Sequence, residues 1–411
     1  MKRDLVTWDE FSGTSWMIDA IVAGHLCLDV IPDLSGSAKG QFQALFQPGK
    51  LVSIGPVDHC TGGPVSNTGL ALTRLGIRTR LMGKVGDDLF GRAVQDYIGT
   101  YGADLANAMV VDPAADTSYT IVITPPGVDR LFLHYTGAND TFGASDIRYD
   151  QLRDARLFHF GYPPLMRRMY EDGGRELALI FGRAKETGVT TSLDLALPDP
   201  SSPAGRADWG AILRAVLSHV DIFMPSIEEI LFMLRPATYR ALRGEASGPN
   251  IVPLIGADLL SDLGGELLSL GVTMVALKLG ERGLYLRTAG QTSLAALGRA
   301  CPSNLAAWSD RELWVPCFRV EVAGTTGAGD ATIAGFLTAL LRDLAPEEAV
   351  TIAVAVGACN VEATDALSGL RTWEETWQRV HSGWARHALA LDAPGWVFDD
   401  CHGLWVGPGE A

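Results

Sequence analysis

Apolar residues in this chain keep two rhythms, and the alternation between them predicts the elements. Residues 19–27 form a nearly unbroken apolar run that ends at Leu28-Asp29, the pattern of a strand buried on both faces of a parallel sheet. Beyond Asp330, the residues Ile333, Phe336, Leu337, Leu340 and Leu341 recur at three- and four-residue spacing, which predicts a helix. Similar stretches place strands near 79–84, 157–160, 190–195, 220–223 and 273–279, the last turning into a partner at 284–287. Helices are expected over 64–75, with Gly76 as a C-cap, and near 90–101, 346–363 and 373–389. Strands alternating with helices point to a layered α/β architecture.

One pair of strands breaks the rhythm. Residues 117–124 alternate polar and apolar, a turn follows at 125–129, and a second short strand runs over 130–135. A hairpin inside a βα chain projects from the main sheet, as a flap over a site, as edge decoration or as a dimer surface. Residues 32–58 lack helical period and read as a loop or small strand excursion. Residues 234–262 read as an irregular surface insertion and 289–312 as a second one.

Between the rhythms lie the glycine turns. Gly324-Thr325-Thr326-Gly327-Ala328-Gly329-Asp330 opens the long apolar helix. Such a loop leaves backbone N–H groups unpaired, with the positive end of the helix dipole behind them, and makes an anion site. Asp330 at its lip would repel a phosphate, so it suggests a base acting on a hydroxyl beside that phosphate. The same position also suits a simple N-cap. Thr61-Gly62-Gly63-Pro64-Val65-Ser66-Asn67 is a second glycine turn into a helix. Asp29, just past the first strand, lies where open α/β sheets bind ligands, although a loop-capping role fits its position equally well.

Composition narrows the chemistry. The 411 residues are 47% hydrophobic, and 33 basic against 48 acidic residues give a net charge of −15. Nucleic acid and anionic membranes are therefore poor partners, and any phosphate must be held by local donors. No apolar run is long enough to span a bilayer, and residues 1–16 lack a signal-peptide core. Six cysteines without a CxxC pair suggest free thiols in a reducing cytoplasm and no zinc site.

Two of these stretches together resemble the ribokinase-like carbohydrate kinases, over about 20–390. The 324–330 loop with Ala334-Gly335-Phe336-Leu337 is similar to that family's D-T-x-G-A-G-D-x-x-x-x-G-F motif. Gly62, Gly63 and Asn67, followed by Gly76 and Gly86, resemble its substrate-side motif. The resemblance implies a three-layer α/β/α sandwich with a small β-sheet lid. It divides the chain into an N-terminal extension (1–18), a kinase domain (19–392, with the lid from parts of 30–58 and 116–137) and a C-terminal tail (393–411).

The activity it implies is transfer of the γ-phosphoryl group of ATP, with Mg²⁺, to a hydroxyl of a sugar or sugar-like substrate. Asp330 would be the base and the amides of Gly327, Ala328 and Gly329 the anion hole. Asp29, Gly62, Gly63, Asn67 and Asn139 would hold the acceptor. Ser226, Lys278, Gly280, Gly283 and Thr325 would line the nucleotide, and Glu229 would act on Mg²⁺ through water. Ser226 replaces the Asn of the family's N-x-x-E motif, and Lys278 replaces Thr, able to serve the triphosphate or to point into solvent. Gly324 replaces an Asp associated with a potassium-binding loop, which leaves activation by a monovalent cation in doubt. The lid offers a route to a homodimer. The other readings are a nucleoside or cyclitol kinase of the same family, or a sensor that binds sugar or nucleotide without turnover.

Overall fold

The computed structural model describes residues 17–36, 48–124, 131–248 and 250–408. The greater part of the N-terminal extension, residues 37–47 of the lid region and the hairpin turn at 125–129 lie outside the described residues.

Sixteen strands are arranged in three sheets among the described residues. In chain order they are β1 (Ile18–Gly24), β2 (Cys27–Pro32), β3 (Val57–Gly62), β4 (Thr79–Met82), β5 (Lys84–Gly86), β6 (Val110–Asp112), β7 (Tyr119–Ile123) and β8 (Leu131–Tyr135). They continue with β9 (Ala155–Gly161), β10 (Thr190–Leu193), β11 (Ile222–Phe223), β12 (Met274–Lys278), β13 (Leu284–Thr288), β14 (Glu312–Val315), β15 (Val397–Asp399) and β16 (Leu404–Val406). The main sheet has the order β15-β16-β14-β13-β12-β11-β10-β9-β1-β4. From β4 to β12 its neighbours are parallel, and from β12 to β15 they are antiparallel. Helices cover both faces and create two apolar cores, one on each side of the sheet.

The Ala328–Leu341 helix and the Pro346–Asn360 helix pack together in one of these layers and are buried almost throughout. A helix apolar all round is stable only inside a protein. The mostly Ala, Val and Ile composition of 349–356 meets that condition. Gly335 sits where the two helices touch, since a Cβ there would lie 2.9 Å from Ala353 Cα.

The lid is a four-stranded sheet of order β3-β2-β7-β8, with β7 and β8 antiparallel as the alternation predicts. Strand β8 is an edge strand, and all five of its residues are exposed.

Four expectations are corrected. The apolar run 19–27 is not one strand: β1 stops at Gly24, and Asp29 belongs to the lid strand β2. The break is steric. Gly24 has φ +122°, and a Cβ on it would lie 2.3 Å from Gly161 O, so the chain turns where only glycine can pass. Residues 234–262 are not irregular, for they contain the Pro236–Glu245 helix and the start of Ala257–Ser269. Pro236 occupies the first helical position, where its missing N–H costs nothing. Residues 289–312 are no detached insertion, because Leu294, Leu297, Ala300 and Trp308 join one of the two cores. Residues 397–406 likewise pair into the main sheet through β15 and β16 instead of trailing as a tail.

Candidate active site

Asp330 is the third residue of the Ala328–Leu341 helix, and only 1% of it is exposed. Gly327 precedes that helix in the left-handed region, φ +73°. A Cβ there would come within 2.6 Å of Ala366. Both demands require glycine and set the angle at which the loop enters the helix.

Three donors converge on the Asp330 carboxylate. Asn67 Nδ2 donates to Oδ2 at 2.9 Å, Tyr162 OH to the same oxygen at 3.0 Å, and Thr68 Oγ1 to Oδ1 at 3.3 Å. Asn67 and Thr68 belong to the first turn of the Pro64–Arg74 helix, whose N-cap Gly63 has φ +87°. A Cβ on Gly63 would lie 2.6 Å from His25 Nδ1. Tyr162 follows β9 in a left-handed conformation, φ +59°, a strained setting for a bulky residue that its neighbours must enforce. Burial pushes the Asp330 carboxyl above the ordinary carboxylate range, and its three hydrogen bonds and the Lys278 charge oppose that rise.

A second group of charges lies on the other side of the glycine loop. Lys278, the last residue of β12, pairs with Asp194 Oδ1 at 2.6 Å and is almost wholly buried. It does not point into solvent: a Cβ on Gly329 would lie 3.6 Å from Lys278 Nζ, so the ammonium stands against the start of the Asp330 helix. Burial works against the charge on Lys278, but Asp194, Glu229 and Asp330 outweigh it and hold the ammonium protonated. Burial also pushes Asp194 and Glu229 upward, against the pull of Lys278. Asp194 Oδ2 is buried and has no hydrogen-bond partner among the described residues.

Glu229 and Ser226 form a capping box on the Ile227–Leu234 helix: Ser226 N donates to Glu229 Oε2 at 2.7 Å, and Glu229 N donates to Ser226 Oγ at 3.3 Å. Ser226 also bridges to Lys278 in the main sheet. Gly280 and Gly283 shape the turn from β12 to β13, with φ +52° and +93°. A Cβ on Gly283 would lie 1.9 Å from Val315 O. Thr325 O receives a hydrogen bond from Ala328 N at 3.3 Å, within the turn before the helix.

Among the residues expected to hold the acceptor, Asp29 accepts from the Cys27 thiol at 3.3 Å and packs on Gly62, where a Cβ would meet Asp29 Oδ2 at 2.5 Å. Burial raises its carboxyl as well. Asn139 departs from its expected role. Its amide donates to Leu26 O at 2.9 Å and accepts from Leu26 N at 3.2 Å, so both polar ends hold the corner between β1 and β2 and neither faces an acceptor.

Sequence reasoning missed Thr68, Tyr162 and Asp194. Asp194 had a signal, because it lies directly past the carboxyl end of β10, as Asp29 was thought to lie past the first strand. Tyr162 had none, since its hydroxyl meets Asp330 across 168 residues of chain.

The family model for pfkB family carbohydrate kinases matches residues 19–373. The chain belongs to that family. It is a carbohydrate kinase, a phosphotransferase with an alcohol acceptor. Relatives include fructokinase-2 of Solanum habrochaites, 24% identical over 370 residues that cover 88% of this chain and 95% of that protein. Another is the 2-dehydro-3-deoxygluconokinase of Thermoproteus tenax, 26% identical over 339 residues, covering 80% and 88%. The fold matches the fructokinase of Xylella fastidiosa solved with bound ATP, with a TM-score of 0.64 at 19% identity, covering 88% of this chain and 98% of that one. None of the helices among the described residues is long and apolar enough to cross a membrane.

Proposed function

We propose that this kinase moves the γ-phosphoryl group of ATP to a hydroxyl of a sugar or sugar-like substrate, with Asp330 as the base. The observation that carries this is the placement of Asp330: a buried carboxylate held by Asn67, Thr68 and Tyr162, one helical turn from Gly327. Asp330 accepts the proton of the acceptor hydroxyl as its oxygen bonds to phosphorus and the bond to the departing ADP breaks. The amides of Gly327 and Gly329 face the transferring group, whereas that of Ala328 is already turned to Thr325 O, and Lys278 adds a positive charge beside them. Donors already in place when charge develops cost no reorganisation. Asp29, Gly62 and Gly63 line the acceptor side, and Ser226, Gly280, Gly283 and Thr325 the nucleotide side.

The residues also suit Mg²⁺. Asp194, Glu229 and Asp330 surround a single ammonium, and Asp194 Oδ2 lacks a partner among the described residues. That excess of buried carboxylate oxygen fits a hard cation held largely through water. The ion would neutralise the phosphates when bound, with Glu229 and Asp194 holding its water shell. No monovalent cation is required in this reading. A Cβ on Gly324 would lie 2.9 Å from Ala363 O and from Thr364 Cα, so the loop is packed for a residue without a carboxylate.

A coupled ADP-release assay across fructose, ribose, 2-dehydro-3-deoxygluconate, cyclitols and nucleosides, with and without potassium, tests this. Saturation by one sugar or sugar acid at equal rates in both salts is expected. Turnover confined to a nucleoside or a cyclitol would refute the substrate class, and no turnover despite ligand-induced thermal stabilisation would favour a sensor.

A second copy of the chain is the partner we propose for the β8 edge, since an exposed edge that is unpaired among the described residues and carries Leu131, Phe132, Leu133 and Tyr135 invites pairing. Sedimentation velocity should show a dimer that Leu133→Lys dissociates. A wild-type monomer at all concentrations would end this idea.

A further inference from the structure

Beside the acceptor side lies a cluster that the phosphoryl-transfer chemistry leaves unused. His25 stands at the corner between β1 and β2, Cys27 begins β2, and His134 comes from the lid strand β8. His25 and Cys27 are buried, while His134 is exposed. The two imidazoles meet through their Nε2 atoms at 3.2 Å. One donor atom from each of the three residues lies within 4.8 Å of the others.

We propose that His25, Cys27 and His134 bind a zinc ion that ties the lid to the core. In a tetrahedral zinc site the metal–nitrogen distance is about 2.0–2.1 Å and the metal–sulfur distance about 2.3 Å. Neighbouring nitrogens are then roughly 3.3 Å apart, which follows from the same bond lengths and is close to the His25–His134 separation. The thiol needs to move inward by on the order of 1 Å to complete three legs of such a site.

The surroundings support a ligand role. His134 Nδ1 is hydrogen-bonded to Thr120 Oγ1 at 3.0 Å, the outer-shell contact that turns a histidine's other nitrogen toward a metal. The Cys27 thiol faces Asp29 Oδ1, which accepts the proton as the S–H bond gives way to a sulfur–zinc bond. Two imidazoles and a thiolate select a borderline-soft ion over Mg²⁺, which prefers oxygen, so the kinase's own cation would not fill this site.

Three protein ligands leave a fourth position open to water. The His25 and Tyr162 rings are 6.3 Å apart, and Tyr162 donates to Asp330. The ion would thus sit beside the acceptor and compete with it, a consequence that rests on the kinase reading above.

The test begins with chelator-treated, full-length protein free of nucleotide, titrated with Co²⁺ as a spectroscopic stand-in for zinc. One equivalent should give intense tetrahedral visible bands and a near-ultraviolet thiolate-to-cobalt band, both erased by Zn²⁺. Cys27→Ser should abolish the near-ultraviolet band, and His134→Gln should weaken binding at least tenfold. Apo thermal unfolding checks that both variants fold. Absence of the thiolate band in the wild type, or wild-type binding in both variants, would overturn the site. These readouts need no turnover, so they stand even if the kinase reading fails. In the coupled assay, Zn²⁺ should raise the acceptor KM reversibly. The cobalt band with an unchanged KM would overturn the placement beside the acceptor.

Discussion

Asp330→Asn should lower kcat by about 10²–10⁴-fold, the usual contribution of a positioned general base, while the acceptor KM changes only a few-fold. Asn keeps the size of the side chain and can still accept from Asn67, Thr68 or Tyr162, but it cannot take a proton. The pH profile separates chemistry from damage. Burial raises the Asp330 carboxyl, so the wild-type rate should fall with acid at a pH above the ordinary Asp value of about 3.9. That limb should vanish in the variant. Stability should move the other way. A carboxyl whose folded pKa is raised binds its proton more tightly in the native state, so its ionisation costs stability as pH rises past the unfolded value. Removing it should leave the neutral-pH unfolding midpoint unchanged or higher. Wild-type turnover in Asp330→Asn would rule out the assigned role.

Lys278→Met should be the most destabilising single change in the site. Asp194, Glu229 and Asp330 share this one ammonium, and its loss leaves buried carboxylates uncompensated. Breaking a buried pair from one side costs about 3–5 kcal/mol, measurable by denaturant unfolding. Turnover should also fall, by roughly 10²–10³-fold, if the ammonium serves the transferring phosphoryl group.

The pH dependence follows from the sign of each shift. In the wild type the folded pKa of Lys278 is raised, so its contribution is complete below the unfolded value and is lost as pH climbs through the folded one. In the variant, the remaining carboxylates are driven further up, so stability should recover as pH falls toward their unfolded values. The double change Lys278→Met with Asp194→Asn should regain most of the stability and none of the activity. A single variant with wild-type unfolding and wild-type kcat would show that the ammonium is only a surface charge.

Much of this site was legible because its signals are local. The 324–330 loop announces itself through glycine spacing, and the steric demand at Gly327 is met within a few ångströms of its own backbone. Asn67 follows a glycine turn and a proline at the helix start, so its placement at a helix N-terminus could be read directly. Asn139 was misread for the opposite reason. An amide looks the same in sequence whether it faces a sugar or closes on Leu26. Asp29 was placed at the end of the first strand because an apolar run carries no mark of the turn that Gly161 forces at Gly24. Of the four lid strands, β7 and β8 were readable as a hairpin, but β2, β3 and the order β3-β2-β7-β8 were not.

What the sequence determined alone is most of the alternating strands and helices of the core and the 324–330 glycine loop, because helix period, strand alternation and glycine conformation depend on neighbours along the chain. The tertiary structure alone decided the company those residues keep. It seated Tyr162 and Thr68 on Asp330, turned Lys278 from solvent to Asp194, and paired the last strands, β15 and β16, into the sheet. Each of these depends on which carboxylate, ammonium or strand edge is left unsatisfied once the sheet has closed, and burial makes leaving it so too costly.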